Sequence, residues 1–304
     1  MTDTATPRLI YRESIPDSSL QPFVTRTYEL QSIATGDETV TGVVIDGSDP
    51  LLGRLLPNAD ANLIFDLGRS AAWRTLARPR RSRGRGFVVG VMHQPVPVTF
   101  GPGVHLFGVA FAVGRPWPFL SVPAIELASR IVSLTDLWGD EARPIESHLR
   151  SLASFEERAT WTHRMLSQCI PDEPLEDSDL QEIISHVRAT CGAVRVDALA
   201  SATGLTRQRF TRWFASRVGM GPKHFIRLSR VHALLSHVLD GPIDNWTDVA
   251  GRFGYYDQAH MIGEFTWFIG MPPERFLRTQ ASRLAAAGPG SLSGADGRTR
   301  TRDR

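Results

Sequence analysis

The stretch that decides the fold is residues 194–276. Residues 194–219 read VRVDALASATGLTRQRFTRWFASRVG, residues 221–240 read GPKHFIRLSRVHALLSHVLD, and residues 245–276 read NWTDVAGRFGYYDQAHMIGEFTWFIGMPPERF. The first and third pieces share one plan. Each has a short segment with apolar residues at helical spacing, a glycine turn, a polar cap, and a second helical segment closed by glycine. The middle piece is a helix that joins them.

In the first unit Val196, Leu199, Ala200 and Ala202 make the short helix, and its alanines permit a close helix crossing. Gly204 turns the chain, Leu205 plugs the core and Thr206 caps the next helix, residues 207–218. Phe210 and Phe214 stand at i, i+4 and face inward, which puts Arg207, Gln208, Thr211 and Arg212 outward. Trp213 is expected in the core or at its rim. Pro222 suits a first helical position and opens a connector that runs to about Leu239. At about 1.5 Å per residue that rod is about 27 Å long. Phe225, Leu228, Val231, Leu234, Leu235 and Val238 form its buried stripe.

The second unit repeats the plan. Val249, Ala250 and Phe253 mark the scaffold helix, Gly254 the turn, Tyr255 the plug and Asp257 the cap. In residues 258–269 Met261, Phe265 and Phe268 face inward, leaving Gln258, Ala259, His260 and Ile262 for the outward face. Gly270 ends that helix and Pro272-Pro273 blocks its extension. Ahead of both units, Ser178 or Asp177 caps a helix whose Leu180, Ile183, Ile184 and Val187 lie on one face, and Gly192 closes it.

Two such units on one rod is a layout for reading double-stranded DNA, with the second helix of each unit toward a major groove. Arginine can donate two bonds to guanine and glutamine can pair with adenine, which suits Gln208 and Arg212 to base edges. Arg209, Arg217 and Lys223 are expected at phosphates, where they position without specifying. Residues 195–230 hold eight basic side chains against Asp197 alone, whereas residues 231–280 hold three against six acidic ones. The first unit is therefore expected to supply most of the affinity. His260, His224, His232 and His237 have no partners at metal-ligand spacing, so core or phosphate roles are expected for them.

A chain of 304 residues allows about two domains. No apolar run approaches the roughly 20 residues of a membrane span. The start, MTDTATPRLIYRESIP, has neither the basic nor the apolar segment of a secretory signal. The only cysteines, Cys169 and Cys191, form no CxxC pair, which with the rest predicts a cytoplasmic protein. Residues 8–115 read as β-rich, with strands expected at 23–30, 39–45, 61–67, 86–92, 96–100 and 106–113. Short, regularly spaced strands predict a sandwich or small barrel. Six arginines crowd residues 74–85, RTLARPRRSRGR, which reads as a solvated hairpin connection, with a phosphate-touching loop or anion site as the alternative; no aromatic residues interleave to stack bases. From Trp117 the pattern turns helical, at 124–130, 134–138, 144–152 and 155–170. The acidic, proline-bearing residues 171–179 read as a linker. The tail from residue 280 is rich in Gly, Ser and Arg and is expected to be disordered.

Residues 180–276 resemble the DNA-binding domain of AraC-type (AraC/XylS) transcriptional regulators. The residues that carry the likeness are Leu199-Ala200, Gly204-Leu205-Thr206, Phe210, Arg212, Phe214, Gly219 and Pro222-Lys223. Downstream they are Arg230, Val249-Ala250, Phe253-Gly254-Tyr255, Asp257-Gln258, His260, Phe265, Gly270 and Pro272. Gly263-Glu264 and Thr266 depart from it, since the family places basic residues before the acidic position and at the position of Thr266. The N-terminal part is similar to a domain of unknown function found ahead of such readers, through Leu55-Leu56-Pro57-Asn58-Ala59, Asn62-Leu63-Ile64-Phe65, Val88-Val89-Gly90, and Gly108-Val109-Ala110-Phe111 with Gly114.

The resemblance implies an α+β protein. A cupin-like β-barrel with trailing helices would occupy residues 1–170, a linker 171–179, an all-α domain of two helix-turn-helix units on a connector helix 180–279, and a tail 280–304. It implies a sequence-specific activator, a homodimer that contacts RNA polymerase and answers a small-molecule effector. No cofactor and no metal are expected, since His93 and His105 stand alone. A constitutive DNA binder whose N-terminal part only dimerises is the alternative. An enzyme fused to a DNA-binding module is disfavoured, because the chain lacks a G-x-S-x-G, an H-E-x-x-H and a phosphate-cradling glycine loop. Trp73, Phe111, Trp117 and Phe119 are read as core rather than as the wall of an effector pocket.

Overall fold

The computed structural model describes residues 8–33, 43–46, 54–68, 73–75, 84–100, 103–170 and 178–278. The chain is mixed α/β, with antiparallel sheet first and helices after. The strands are β1 (Arg8–Ser14), β2 (Val24–Ile33), β3 (Val43–Asp46), β4 (Arg54–Leu55), β5 (Asn62–Asp66), β6 (Trp73–Thr75), β7 (Gly86–Val89), β8 (Val96–Phe100) and β9 (His105–Phe111). Then come α1 (Trp117–Leu120), a 3-10 turn (Ala124–Leu127), a late strand β10 (Ile131–Ser133), α2 (Leu134–Trp138), a second 3-10 turn (Gly139–Glu141), α3 (Ala142–Ser151) and α4 (Phe155–Ser167). The remaining helices are α5 (Ser178–Ala189), α6 (Val196–Ala202), α7 (Arg207–Val218), α8 (Pro222–Leu239), α9 (Trp246–Arg252) and α10 (Gln258–Ile269).

The expected closed barrel is not what the strands form. Among the described residues they make a seven-stranded sheet, in the order β10-β7-β5-β9-β2-β1-β3, and a three-stranded sheet, β4-β8-β6. The large sheet is open because β7 pairs with β5 and β10, while β8 pairs with β4 and β6 in the other sheet. Side-chain alternation then gives the large sheet two buried faces. Ile64, Phe87, Val89 and Leu106 face the small sheet and pack with Val98, Leu55 and Phe100. Leu63, Phe65, Val88, Phe107, Val109 and Phe111 face the other way and are covered by residues of α1–α4, among them Phe119, Leu134, Leu149, Phe155 and Leu166. Burial on both faces is why β5, β7 and β9 read as nearly unbroken apolar runs.

Helix α4 starts with a capping box in which Ser154 and Glu157 satisfy each other's backbone N–H groups. The stretch expected to be helical at 124–130 is one 3-10 turn, and the chain then returns to the sheet as β10, paired with β7. Strands β1, β4 and β6 were also not anticipated. Phe111 and Phe119 are core residues stacked at 5.2 Å, as expected. Most of the arginine-rich segment, the proline-bearing break and the tail lie outside the described residues.

Gly90, just after β7, marks the tightest approach between the sheet and the segment before β10. A Cβ there would sit 1.8 Å from the Leu127 carbonyl oxygen, and the Gly90 N–H already donates to the Arg130 carbonyl at 2.9 Å. The obstacle is backbone, so it cannot swing aside. We expect Gly90→Ala to destabilise the protein by about 1–3 kcal/mol, the range for overpacked interiors. Urea unfolding with an unchanged slope and a lowered midpoint is the expected result; an unchanged midpoint would contradict the packing described.

Candidate nucleic-acid interface

Helices α6 and α7 form one pair, α9 and α10 another, and α8 joins them. Phe210, Phe214, Met261, Phe265 and Phe268 are wholly buried in a common core with Phe225, Leu228, Val231 and Leu234 of α8. Both turns are built alike. Gly204 and Gly254 hold φ of 67° and 69°, a region open to glycine at little cost. Thr206 then accepts from the Arg209 N–H, and Asp257 from the His260 N–H at 2.7 Å, so each second helix has a capped N-terminus. Gly219 and Gly270, both at φ 83°, close the two helices.

Arg207, Gln208, Arg209, Thr211, Arg212 and Lys223 are exposed. Arg207 pairs with Asp197 at 3.2 Å, and the Thr211 hydroxyl donates to the Arg207 carbonyl of its own helix. Arg217 is half-buried and lies over the Trp213 ring at 5.2 Å, which places Trp213 at the core rim. In the second pair Ala259 and His260 are exposed, while Gln258 and Ile262 are half-buried. Gln258 accepts from the Thr247 hydroxyl at 3.4 Å. His260 lies 3.7 Å from the Glu264 carboxylate and edge-on to Tyr255. The basic surface is thus continuous along the outer N-terminal half of α7 and nearly absent from α10.

Sequence reading missed a pair inside the second unit. Glu264 is buried and accepts from Arg227 Nε of α8 at 2.5 Å, and Arg227 also lies over Trp267 and Phe268. It also missed the seam between the sheet region and the helices. Ala59, Val91 and Val113 enter the core of the helical region. His93 Nε2 meets the Gly219 carbonyl at 3.0 Å, His232 Nε2 the Pro57 carbonyl at 3.0 Å, and Gln181 donates to the Val113 carbonyl at 3.1 Å. Arg188 lies 3.6 Å from Asp60, whose carboxyl is pushed up by burial. The seam therefore holds the C-terminal end of α7 and leaves its N-terminal half open.

Residues 199–279 match a family described as a helix-turn-helix domain, of the AraC type. The chain carries an AraC-type helix-turn-helix domain. It is a DNA-binding transcription regulator. Residues 12–133 match a family described as a domain of unknown function (DUF6597). No curated protein matches the chain. Among solved structures, the chain is similar to the DNA-binding domain of AdpA in complex with a target DNA, at 22% identity and TM-score 0.33, over 35% of this chain and 96% of that one. It is also similar to ToxT from Vibrio cholerae, at 11% identity and TM-score 0.44, over 90% of this chain and 98% of that one. A ToxT structure with bound unsaturated fatty acid aligns at 9% identity and TM-score 0.42, over 92% and 98% of the two chains.

One titratable group at the seam has a directional consequence. The His224 ring of α8 lies 4.9 Å from that of His93, tilted against it, and burial, then the nearby His93 and Arg227, lower its pKa to about 4. In the unfolded chain an ordinary histidine takes its proton near pH 6.5. Between those values the unfolded state binds the extra proton, so stability falls as pH drops from about 6.5 toward 4. His232, buried and lowered as well, acts in the same direction, while Asp60, raised, acts in the opposite one. Comparing wild type with His224→Gln isolates one group. We expect the variant to lose less stability over that window in chemical denaturation, and parallel curves would refute this.

Proposed function

We propose that the chain is a sequence-specific regulator whose two helix-turn-helix units have unequal weight. In this reading α7 enters a major groove with Gln208 and Arg212 on base edges and with Arg207 and Thr211 beside them. Arg209, Arg217 and Lys223 hold phosphates, which fixes the register without specifying sequence. Helix α10 offers Gln258, Ala259, His260 and Ile262 to a second groove. The 18-residue α8, about 27 Å long at about 1.5 Å per residue, is the spacer between them.

The observation that carries the reading is the division of α7. Its N-terminal half is capped, basic and exposed, and its C-terminal end is held by the seam. A sensor in the sheet region that altered the seam would therefore change how the first reading helix is presented. Effector control of DNA binding is part of the proposal on that ground. So is a division into a sensor over residues 1–170, a linker at 171–179, a reader over 180–279 and a tail at 280–304, with α5 already beginning at Ser178. A cupin-like sensor, homodimerisation, activation, a contact with RNA polymerase and a cytoplasmic location enter on the family resemblance alone.

We expect Arg212→Ala to weaken binding to a specific site by about 1–3 kcal/mol and to relax the preference at one base pair. Gel-shift titrations on specific and random duplexes decide this, since an equal loss on both would make Arg212 a phosphate contact.

Gly263 stands six residues after its cap, as Arg212 stands six after Thr206. A Cβ on Gly263 would meet nothing within 4 Å, so packing does not require glycine there. We expect Gly263→Arg to tighten DNA binding and to steepen the salt dependence by about one counterion. An unchanged salt slope would place α10 away from the duplex.

A further inference from the structure

At one end of the helix-covered face of the large sheet, the apolar rows give way to charged ones. Arg12 of β1 lies directly across from Glu29 of β2, and Gln31 of β2 across from His105 of β9. These positions continue the rows that carry Phe107, Val109 and Phe111, so the sheet aims them at the N-terminal end of α4. Glu29 is 2% exposed and accepts from Arg158 Nη1 at 2.8 Å, His105 Nε2 at 2.9 Å and Arg12 Nη1 at 3.3 Å. Arg158 is fixed from α4 by two more bonds, to the Leu149 and Leu152 carbonyls at 3.1 and 2.7 Å.

Between this cluster and the start of α4 lies an open cavity of about 300 Å³, lined by Arg12, Glu29, Gln31, His105, Ser154 and Arg158 among others. A structural ion pair between Glu29 and Arg158 would lock α4 to the sheet without needing a cavity. The cavity lies beside that pair, with further polar side chains around it. Both Glu29 oxygens already accept from protein cations, so Glu29 does not offer itself to a ligand. Ser154 Oγ accepts from the Glu157 N–H at 3.1 Å, which leaves its O–H to donate. Arg12, Gln31 and Ser154 thus line the cavity with donor groups, and the acidic Glu156 stands exposed in the first turn of α4. Convergent polar groups fix the orientation of small ligands, and here they make up most of an open, polar cavity.

The geometry points to this cavity as the binding site of a small organic anion, a carboxylate or a phosphate ester, held by Arg12, Gln31 and Ser154. This assignment rests on the reading that the sheet region senses an effector, and it names the effector's class. A route to the reader is built in. Strand β9 carries His105 at one end, and just past its other end the Val113 carbonyl accepts from Gln181 of α5 at the seam.

The test titrates the full chain with inorganic phosphate and with citrate, at ionic strength held constant with sodium chloride, and follows binding by calorimetry and the melting midpoint. We expect saturable binding of at least one probe, weakened tenfold or more in Arg12→Gln and in Gln31→Glu, and unchanged in Arg212→Ala. Gln31→Glu retains every partner of Glu29, so it reports on the site even if Arg12→Gln disturbs folding. Binding by both cavity variants as tight as wild type, loss of binding in Arg212→Ala, or no saturable binding of either probe overturns the assignment. DNA affinity is then measured with and without the saturating anion, with Arg12→Gln as the blank for competition at the basic face. An anion that binds in the cavity yet leaves DNA affinity equal to that blank upholds the site and overturns effector control.

Discussion

Gly219 ties α7, the candidate reading helix of the first unit, to the sheet region. It closes α7 in the left-handed conformation, and a Cβ in its place would lie 3.0 Å from the Ala124 carbonyl oxygen and 3.2 Å from Val91. Its own carbonyl is met by His93. Backbone thus packs against backbone at the point where α7 ends, with almost no side chain between to absorb a shift. A helix of 12 residues is stiff and about 18 Å long at about 1.5 Å per residue. Fixing one end fixes the direction of the other. The direction of Arg207, Gln208 and Arg212 is accordingly set by contacts with Val91, His93 and Ala124, far earlier in the chain.

The seam combines apolar and polar contacts. Its apolar share from the sheet region is Ala59, Val91 and Val113, with Leu56 packed beside them. Its polar share is three backbone carbonyls met by His93, His232 and Gln181, with Arg188 beside Asp60. Each such hydrogen bond adds about 0.5–1.5 kcal/mol net, because water takes over both partners when the joint parts. The large phenylalanines lie instead within each region, at Phe107 and Phe111 on one side and Phe210, Phe214 and Phe265 on the other.

The helical region was legible because its signals are local. Caps, turn glycines and inward phenylalanines all fall within a few residues of the element they define, and Thr206, Asp257, Gly204, Gly254, Gly219 and Gly270 take the places their types suggest. The sheet was less legible for two reasons. Strands buried on both faces lose alternation, so β5 and β9 could not distinguish a closed barrel from a sheet covered by helices on one side. Short strands carry too few residues for any period, which hid β4, β6 and β10. The seam left no trace in the sequence at all. His93 and Gly219 are 126 residues apart, and a backbone carbonyl acceptor imposes no residue type. Even the candidate DNA-facing side chains were found through their neighbours, as the positions left over once the inward phenylalanines were placed.

The imbalance between the two units goes deeper than a count of charges. Glu264 follows its cap by seven residues, as Trp213 follows Thr206. In the first unit that position holds an indole, over which Arg217 lies with its charge near the surface. In the second it holds a buried carboxylate, which draws in Arg227 from α8 and stands close to His260. Arg227 was among the basic residues credited to the first unit, but its charge is matched inside the second. A desolvated carboxylate must be paired to be tolerated, so this arginine cannot swing out to a phosphate without leaving Glu264 buried and unmatched. The pair fastens α10 to α8 and removes positive potential from the surface at the same point. An acid where its counterpart has an indole thus anchors the second helix to α8 and leaves one cation fewer at its surface.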